Sequence, residues 1–265
     1  MPEEQRPLIR TDIPHSARIW NYWMGGKDYY EADRAAGDAG ISVDPDITRM
    51  AVQSRQFLIR AVRFLAAEKG IRQFLDIGTG LPTMQNTHEV AQSVAPESTI
   101  VYVDNDPLVL THARALLTST SDKGATTYID SDYHRPELIV AEARTVLDFT
   151  EPVAVMFMGV LGHAHSYQDM RRIVGTVLDA VPSGSYLVLW DGTDDSEAYV
   201  TLCKNYTDTG GVPYTPRPQA EIRAVFDDLE LVEPGFVPIT EWRAEATEVG
   251  KTRPISAYGA VARKP

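Results

Sequence analysis

Apolar residues change their period along this chain. Over the first 70 residues they recur at helical spacing, and Ile19, Trp20, Trp23 and Met24 share one face of a helix that Gly25-Gly26 stops. Asp28 and Glu31 then stand three apart, as in a capping box, ahead of a second helix from Tyr29 through Ala39 with Gly40 as its stop. A longer helix runs from about Asp46 to Lys69, with Ile47, Met50, Ala51, Phe57, Leu58, Ala61, Val62 and Leu65 as its stripe and Gly70 as its end. From Arg72 onward, short apolar runs alternate with helical segments, the pattern of βαβ units around a parallel sheet. The pattern predicts strands at about 72–77, 99–104, 125–129, 152–158 and 184–190. It predicts helices at about 83–94, 107–120, 135–147, 167–181, 194–209 and 219–229. Two terminal strands follow, near 230–240 and 254–263, and the Arg243 to Arg253 connection is short for a crossover helix, so an antiparallel edge is expected. The expected fold is α/β: a doubly wound, mostly parallel, seven-stranded sheet. Residues 1–70 form an N-terminal helical cap packed on a main domain of residues 71–265, one structural unit overall.

Composition narrows the setting. A length of 265 residues accommodates one large α/β domain. A net charge of −12 argues against nucleic acid as a partner, because phosphate neutralisation needs clustered Lys and Arg. The lone cysteine, Cys203, excludes an internal disulfide framework and a thiolate zinc cluster, and is expected as a small core residue on a helix. The N-terminus, Met1 to Pro7, is polar and no apolar run approaches the roughly 18 residues of a membrane span, so a soluble, cytoplasmic protein without a membrane partner is expected. Nothing in the composition sets an oligomeric state.

The candidate chemistry lies at the strand ends. Phe74-Leu-Asp-Ile-Gly-Thr-Gly80 and Val101-Tyr-Val-Asp-Asn-Asp106 are apolar runs that end in acidic residues at turns, the layout of a nucleoside-cofactor site outside the carboxyl ends of parallel strands. Asp104 lies 24 residues beyond Gly80, close to the place of an acid that binds ribose hydroxyls. The dinucleotide fingerprint opened at Gly78 requires Gly or Ala at 83, where this chain has Thr83, and Pro82 removes an N–H from the turn. NAD is thereby disfavoured. S-adenosylmethionine carries ribose and adenine without phosphate and fits a D-x-G-x-G turn better. Gly78, Thr79 and Gly80 are expected around its methionine part, with the start of the 83–94 helix facing the carboxylate and Asp76 meeting the ammonium. Asp104, with Asn105 beside it, is expected at the ribose.

Here a resemblance can be stated. The sheet motifs look like those of class I S-adenosylmethionine-dependent methyltransferases. The stretch His15-Ser-Ala-Arg-Ile-Trp-Asn-Tyr-Trp-Met-Gly-Gly-Lys-Asp28 resembles more narrowly an actinobacterial S-adenosyl methyltransferase family formerly catalogued as a domain of unknown function. The resemblance covers about residues 11 to 263 and implies the fold and cofactor binding, with S-adenosylhomocysteine as product. It implies that the acid after the third strand accepts from the adenine amino group and that the next side chain packs on the ring. Asp132 and Tyr133 take those roles, with Asp130 as the alternative; a helix N-cap is the competing reading of either carboxylate. The fourth strand runs into Met156 to Ser166, where substrate and methyl group meet. It lacks the D/N-P-P-Y/F tetrapeptide of many DNA and glutamine N-methyltransferases. Gly159 is expected to let the backbone approach the cofactor, and His163 and His165 are the candidate general bases. In the N-terminal block, Tyr22 and Lys27 are placed near the cofactor, Lys27 toward its carboxylate, while Trp20, Trp23 and Met24 pin the helix to the sheet. Trp190-Asp191 lines the acceptor pocket or closes its loop. No metal site is expected, since the cluster of His163, His165 and Asp169 reads as a helix-cap arrangement.

The leading function is methyl transfer to a small-molecule acceptor. A non-catalytic sensor of S-adenosylmethionine or S-adenosylhomocysteine is the alternative, and an NAD-linked oxidoreductase the third.

Overall fold

The order of elements follows the predicted one in a computed structural model, which describes residues 9–82, 85–109, 111, 119–244, 253 and 255–265. Three helices come first: α1 (Ser16–Trp23), α2 (Glu31–Val43) and α3 (Ile47–Glu68). The alternating part comprises β1 (Gln73–Ile77), α4 (Thr87–Val94), β2 (Thr99–Asp104), β3 (Ala125–Asp130), α5 (Pro136–Ala143), β4 (Ala154–Met158), α6 (Tyr167–Ala180), β5 (Tyr186–Gly192), α7 (Glu197–Asp208) and α8 (Gln219–Ala224). β6 (Glu230–Leu231), β7 (Val237–Pro238) and β8 (Ala257–Arg263) close the sheet. Most of the predicted 107–120 helix lies outside the described residues.

The strand order is β3-β2-β1-β4-β5-β8-β6, with β7 also beside β8. β1 to β5 are mutually parallel and β8 runs antiparallel to β5, from Tyr186 opposite Arg263 to Gly192 opposite Ala257. The predicted strand at 230–240 is observed as two short pieces. Pro234, which has no N–H to donate, and Gly235, at φ +90°, turn the chain between them.

Strand alternation divides the core between the two faces. Phe74, Ile100, Met156 and Val188 point to the side that holds α1, α3, α4 and α7, where they join Ile19, Phe57, Leu65, Ala91 and Cys203. Their neighbours Leu75, Val101, Val155 and Leu187 point to the other side, against Ile139 of α5, Met170 and Val174 of α6 and Ile222 of α8. The N-terminal helices thus share one apolar core with the sheet.

Two local expectations are corrected. The cap of α2 is set two residues later than Asp28 and Glu31, because Asp33 accepts from the Tyr30 N–H at 2.8 Å. The second Asp33 oxygen accepts from His15 N–H at 2.8 Å and so fixes the start of α1 against α2. Gly40 does not stop α2, which continues to Val43. A Cβ there would lie 2.9 Å from the Trp23 ring, and one at Gly37 2.6 Å from the Tyr22 ring, so close helix packing accounts for both glycines.

Candidate functional site

In a doubly wound sheet the strand order reverses between β1 and β4, and the carboxyl ends of the strands there open onto a crevice. This chain has a cleft of about 420 Å³ at that point, within the size range of small-molecule sites. Its floor is Asp76, Gly78, Thr79 and Gly80 at the end of β1, Asp104 and Asn105 at the end of β2, Ser131 to His134 after β3, and Met158 to Val160 at the end of β4. Trp190 of β5, with His163 and His165, closes one wall. Residues of α1 (Ser16, Ala17 and Trp20) with Met24 and His15, and Ser54, Arg55 and Leu58 of α3, also line it.

The first turn is built around backbone geometry. Gly78 has φ +74°, and a Cβ on it would lie 2.4 Å from the Val160 side chain. Only glycine meets both demands. Gly80 N–H donates to Asp104 Oδ2 at 2.7 Å, while Asn105 and Asp106 N–H donate to Asp104 Oδ1 at 2.8 and 3.0 Å. Asp104 therefore ties the β1 and β2 turns together, and burial raises its carboxyl above the usual range. α4 begins at Thr87, so the expected helix start at 83 is not observed; residues 83–84 lie outside the described residues. Thr87 Oγ1 instead donates to Asp76 Oδ2 at 2.6 Å.

Asp76 is buried, and its Oδ1 has no hydrogen-bond partner. Burial pushes the carboxyl up to about 6, although Thr87 and the nearby Arg55 guanidinium act in the other direction. Burial also lowers Arg55, against the attraction of Asp76. The cleft thus presents a carboxylate and a guanidinium near each other.

Around the rim, Asp132 Oδ1 accepts from His134 N–H at 2.9 Å and lies 2.8 Å from His134 Nδ1. Tyr133 stacks on His134 with ring centroids 4.4 Å apart, and burial raises its phenol above the usual range. Gly159 has φ +76°, and a Cβ there would lie 2.3 Å from the Trp190 indole. Trp190 meets Trp20 edge-on at 5.8 Å, so floor and roof are aromatic where they meet. His163 Nδ1 faces the Pro213 carbonyl at 2.8 Å, and burial lowers the imidazole to about 4. Its loop is held by the buried Arg217, which donates to the Leu161 and Ala164 carbonyls at 3.0 and 2.8 Å.

A family model described as S-adenosyl methyltransferase matches residues 2–265. The chain belongs to the S-adenosyl methyltransferase family. A crystal structure of a DUF574 family protein from Streptomyces avermitilis shares 45% identity over 97% of this chain and 100% of its own, with a TM-score of 0.93. The structure of a methyltransferase candidate from Thermobifida fusca shares 38% identity over 98% of each chain, with a TM-score of 0.85. No curated protein matches the sequence. The family's cofactor is S-adenosylmethionine, which displaces the NAD-linked reading. The cleft fits this cofactor: its glycine turn leaves room for close approach, an unpartnered buried carboxylate oxygen suits an ammonium, and a cation stands ready for a carboxylate.

Most residues singled out from the sequence meet in this cleft: Asp76, Gly78, Thr79, Gly80, Asp104, Asn105, Asp132, Tyr133, Gly159, His163 and His165. Asp130, the alternative to Asp132, ends β3 exposed and outside the lining. Tyr22 and Lys27 are corrections. The Tyr22 hydroxyl donates to Asp38 at 2.5 Å and its ring meets Tyr29, while Lys27 is exposed beyond α1; neither lines the cleft. The reason is angular. Ser16, Trp20 and Met24 succeed one another at four-residue spacing and face the cleft, whereas Tyr22, two residues past Trp20, lies about 200° around the helix. The histidine cluster is corrected too, since His134, not His163, stands with His165 and Asp169. Sequence reasoning missed Arg55 and His134. Arg55 carried no turn or spacing signal, and His134 was two residues beyond a marked Asp132.

Proposed function

We propose that this family member transfers the methyl group of S-adenosylmethionine to a small, largely apolar acceptor held beneath the N-terminal helices. One observation carries the reading. A side cavity of about 70 Å³, lined by Ile19, Trp23, Ala36, Leu202 and Tyr206 among others, shares Ser16, Trp20 and His163 with the main cleft. Acceptor space thus adjoins donor space, which a closed sensor site does not require.

The cofactor, when bound, supplies a methyl group on a sulfonium, open to in-line attack. The chain's residues do the rest. Arg55 takes the carboxylate in place of the expected Lys27, and Asp76 Oδ1 takes the ammonium. Asp104 holds the ribose hydroxyls, and Asp132 and Tyr133 flank the adenine, as the family resemblance implies. Trp20 and Trp190 exclude water, and positioning of the two reactants supplies most of the catalysis. His163 removes the acceptor proton when there is one to lose. Its Nδ1–H donates to the Pro213 carbonyl, which leaves Nε2 as the acceptor, and its lowered pKa keeps the ring neutral above about pH 5.

The test is S-adenosylhomocysteine formation with a panel of small aromatic hydroxy and amino compounds. Ala36→Leu, which narrows the side cavity, is expected to raise the acceptor KM and leave S-adenosylhomocysteine affinity unchanged. Equal loss of both, or no turnover with any acceptor in the presence of bound donor, contradicts the reading. His163→Ala is expected to slow turnover of a protonated acceptor roughly 10²- to 10⁴-fold. Unchanged turnover excludes it as the base.

A further inference from the structure

Three potential ligand atoms converge on the cleft wall beyond the residues used above. His134 Nε2, His165 Nδ1 and Asp169 Oδ2 lie within 4.8 Å of one another. Asp169 Oδ2 is 3.5 Å from His165 Nδ1 and 3.9 Å from His134 Nε2. The three residues come from the loop after β3, the loop before α6 and the first turn of α6. Two of the three atoms, His134 Nε2 and Asp169 Oδ2, are buried without a hydrogen-bond partner. Buried polar atoms are nearly always satisfied, so two orphans facing the same gap require an explanation. A helix cap does not provide it, because Ser166 Oγ already accepts from the Asp169 N–H at 3.1 Å and caps α6.

Two of the three side chains are held in the manner of metal ligands. His134 Nδ1 lies 2.8 Å from Asp132 Oδ1; as donor there, it leaves the Nε2 lone pair toward the gap. Asp169 Oδ1 accepts from Arg172 Nε and Nη2 at 3.1 and 2.8 Å, which fixes the carboxylate with Oδ2 toward the two imidazoles. Ligands each ~2.1 Å from one ion stand roughly 3.0–3.5 Å apart, so the carboxylate–imidazole distances need only small adjustment. The two imidazoles are stacked, with centroids 4.3 Å apart, and one ring must turn for both lone pairs to converge. His165, whose side chain is 80% exposed, is free to turn.

We propose that His134, His165 and Asp169 bind one divalent transition-metal ion of the Zn²⁺ type. Two imidazoles and a carboxylate suit such an ion better than Mg²⁺ or Ca²⁺, which favour oxygen ligands. The ion ties the loop after β3 to the start of α6. Because His134 and His165 both line the cleft, its remaining coordination positions are left for water or for an oxygen or nitrogen of a bound molecule. The three ligands are distinct from the residues assigned to the cofactor, although Asp132, which orients His134, also belongs to the adenine wall.

Zn²⁺ titration of the chelator-stripped full-length protein by calorimetry, with Mg²⁺ present in excess, tests the proposal. Wild type is expected to bind one Zn²⁺ per chain, His165→Ala and Asp169→Asn to lose more than about 100-fold in affinity, and Asp132→Asn to lose about 10-fold as an outer-shell partner. His163→Ala, outside the cluster, is expected to bind Zn²⁺ as wild type does. No stoichiometric Zn²⁺ binding by wild type, or equal binding by His165→Ala and Asp169→Asn, overturns it. S-adenosylhomocysteine titrations of the same samples keep the two readings apart: absent nucleoside binding counts against the cofactor assignment alone.

Discussion

Asp76 is under opposing demands: the fold buries its carboxyl, and the contact proposed with the cofactor's ammonium requires it charged. Its value of about 6 lies above the ordinary 3.8. Stability from this group is therefore fully present below about pH 4 and is lost as pH rises through 6, where the buried carboxyl ionises. Ligand binding has the opposite slope. S-adenosylhomocysteine affinity, measured by calorimetry, is expected to increase between pH 5 and pH 7, and Asp76→Asn to remove that increase. The same pH slope in both proteins contradicts the assigned contact. Arg55→Met is expected to weaken S-adenosylhomocysteine binding by about 1.5–3 kcal/mol, the scale of hydrogen bonds to charged groups. Lys27→Met is expected to change nothing, and the reverse outcome restores the expectation drawn from the sequence. Asp76 was legible because it ends an apolar run at a glycine turn. Arg55 was not, because a cation on the polar side of a long helix becomes a site residue only when that helix lies over the sheet.

At the scale of elements, the strands were the most legible part. Buried parallel strands read as apolar runs, and all five predicted ones are observed within two residues at each end. Face assignment in α1 was harder, because core and cleft are both lined with aromatics and hydrophobicity alone does not separate Trp20 from Trp23. Glycines posed a similar problem: Gly40 resembles a helix stop in sequence and is a packing contact in space. This yields a paired prediction for thermal unfolding. Gly175→Ala in α6, where nothing lies within 4 Å of the new Cβ, is expected to stabilise by up to about 1 kcal/mol. Gly37→Ala in α2, where the Cβ meets the Tyr22 ring at 2.6 Å, is expected to lower the melting temperature despite the same gain in helix propensity. Stabilisation by both substitutions contradicts the packing of α1 against α2.

For the whole molecule, sheet order and the N-terminal helices act together. The order reversal at β1 and β4 places the acidic strand ends side by side, and α1 closes the cleft they form. One ion pair holds that roof: Arg18 Nη2 stands 3.2 Å from Oδ1 of the buried Asp106, just after β2, while His15 Nδ1 accepts from the Ala17 N–H at the start of α1. Cleft and roof are thereby mechanically joined, and among the described residues no helix is long and apolar enough to cross a membrane. What the sequence left hidden is the shape above the sheet, since the side cavity arises from helices that meet only in the folded chain. Calorimetric titration of wild type and Asp104→Ala with S-adenosylhomocysteine, with NAD as the comparison ligand, tests the account most directly. Saturable binding of one S-adenosylhomocysteine per chain, weakened by about 1–3 kcal/mol in Asp104→Ala and without detectable NAD binding, is the predicted result. Binding of NAD alone, or S-adenosylhomocysteine affinity indifferent to Asp104, would contradict it.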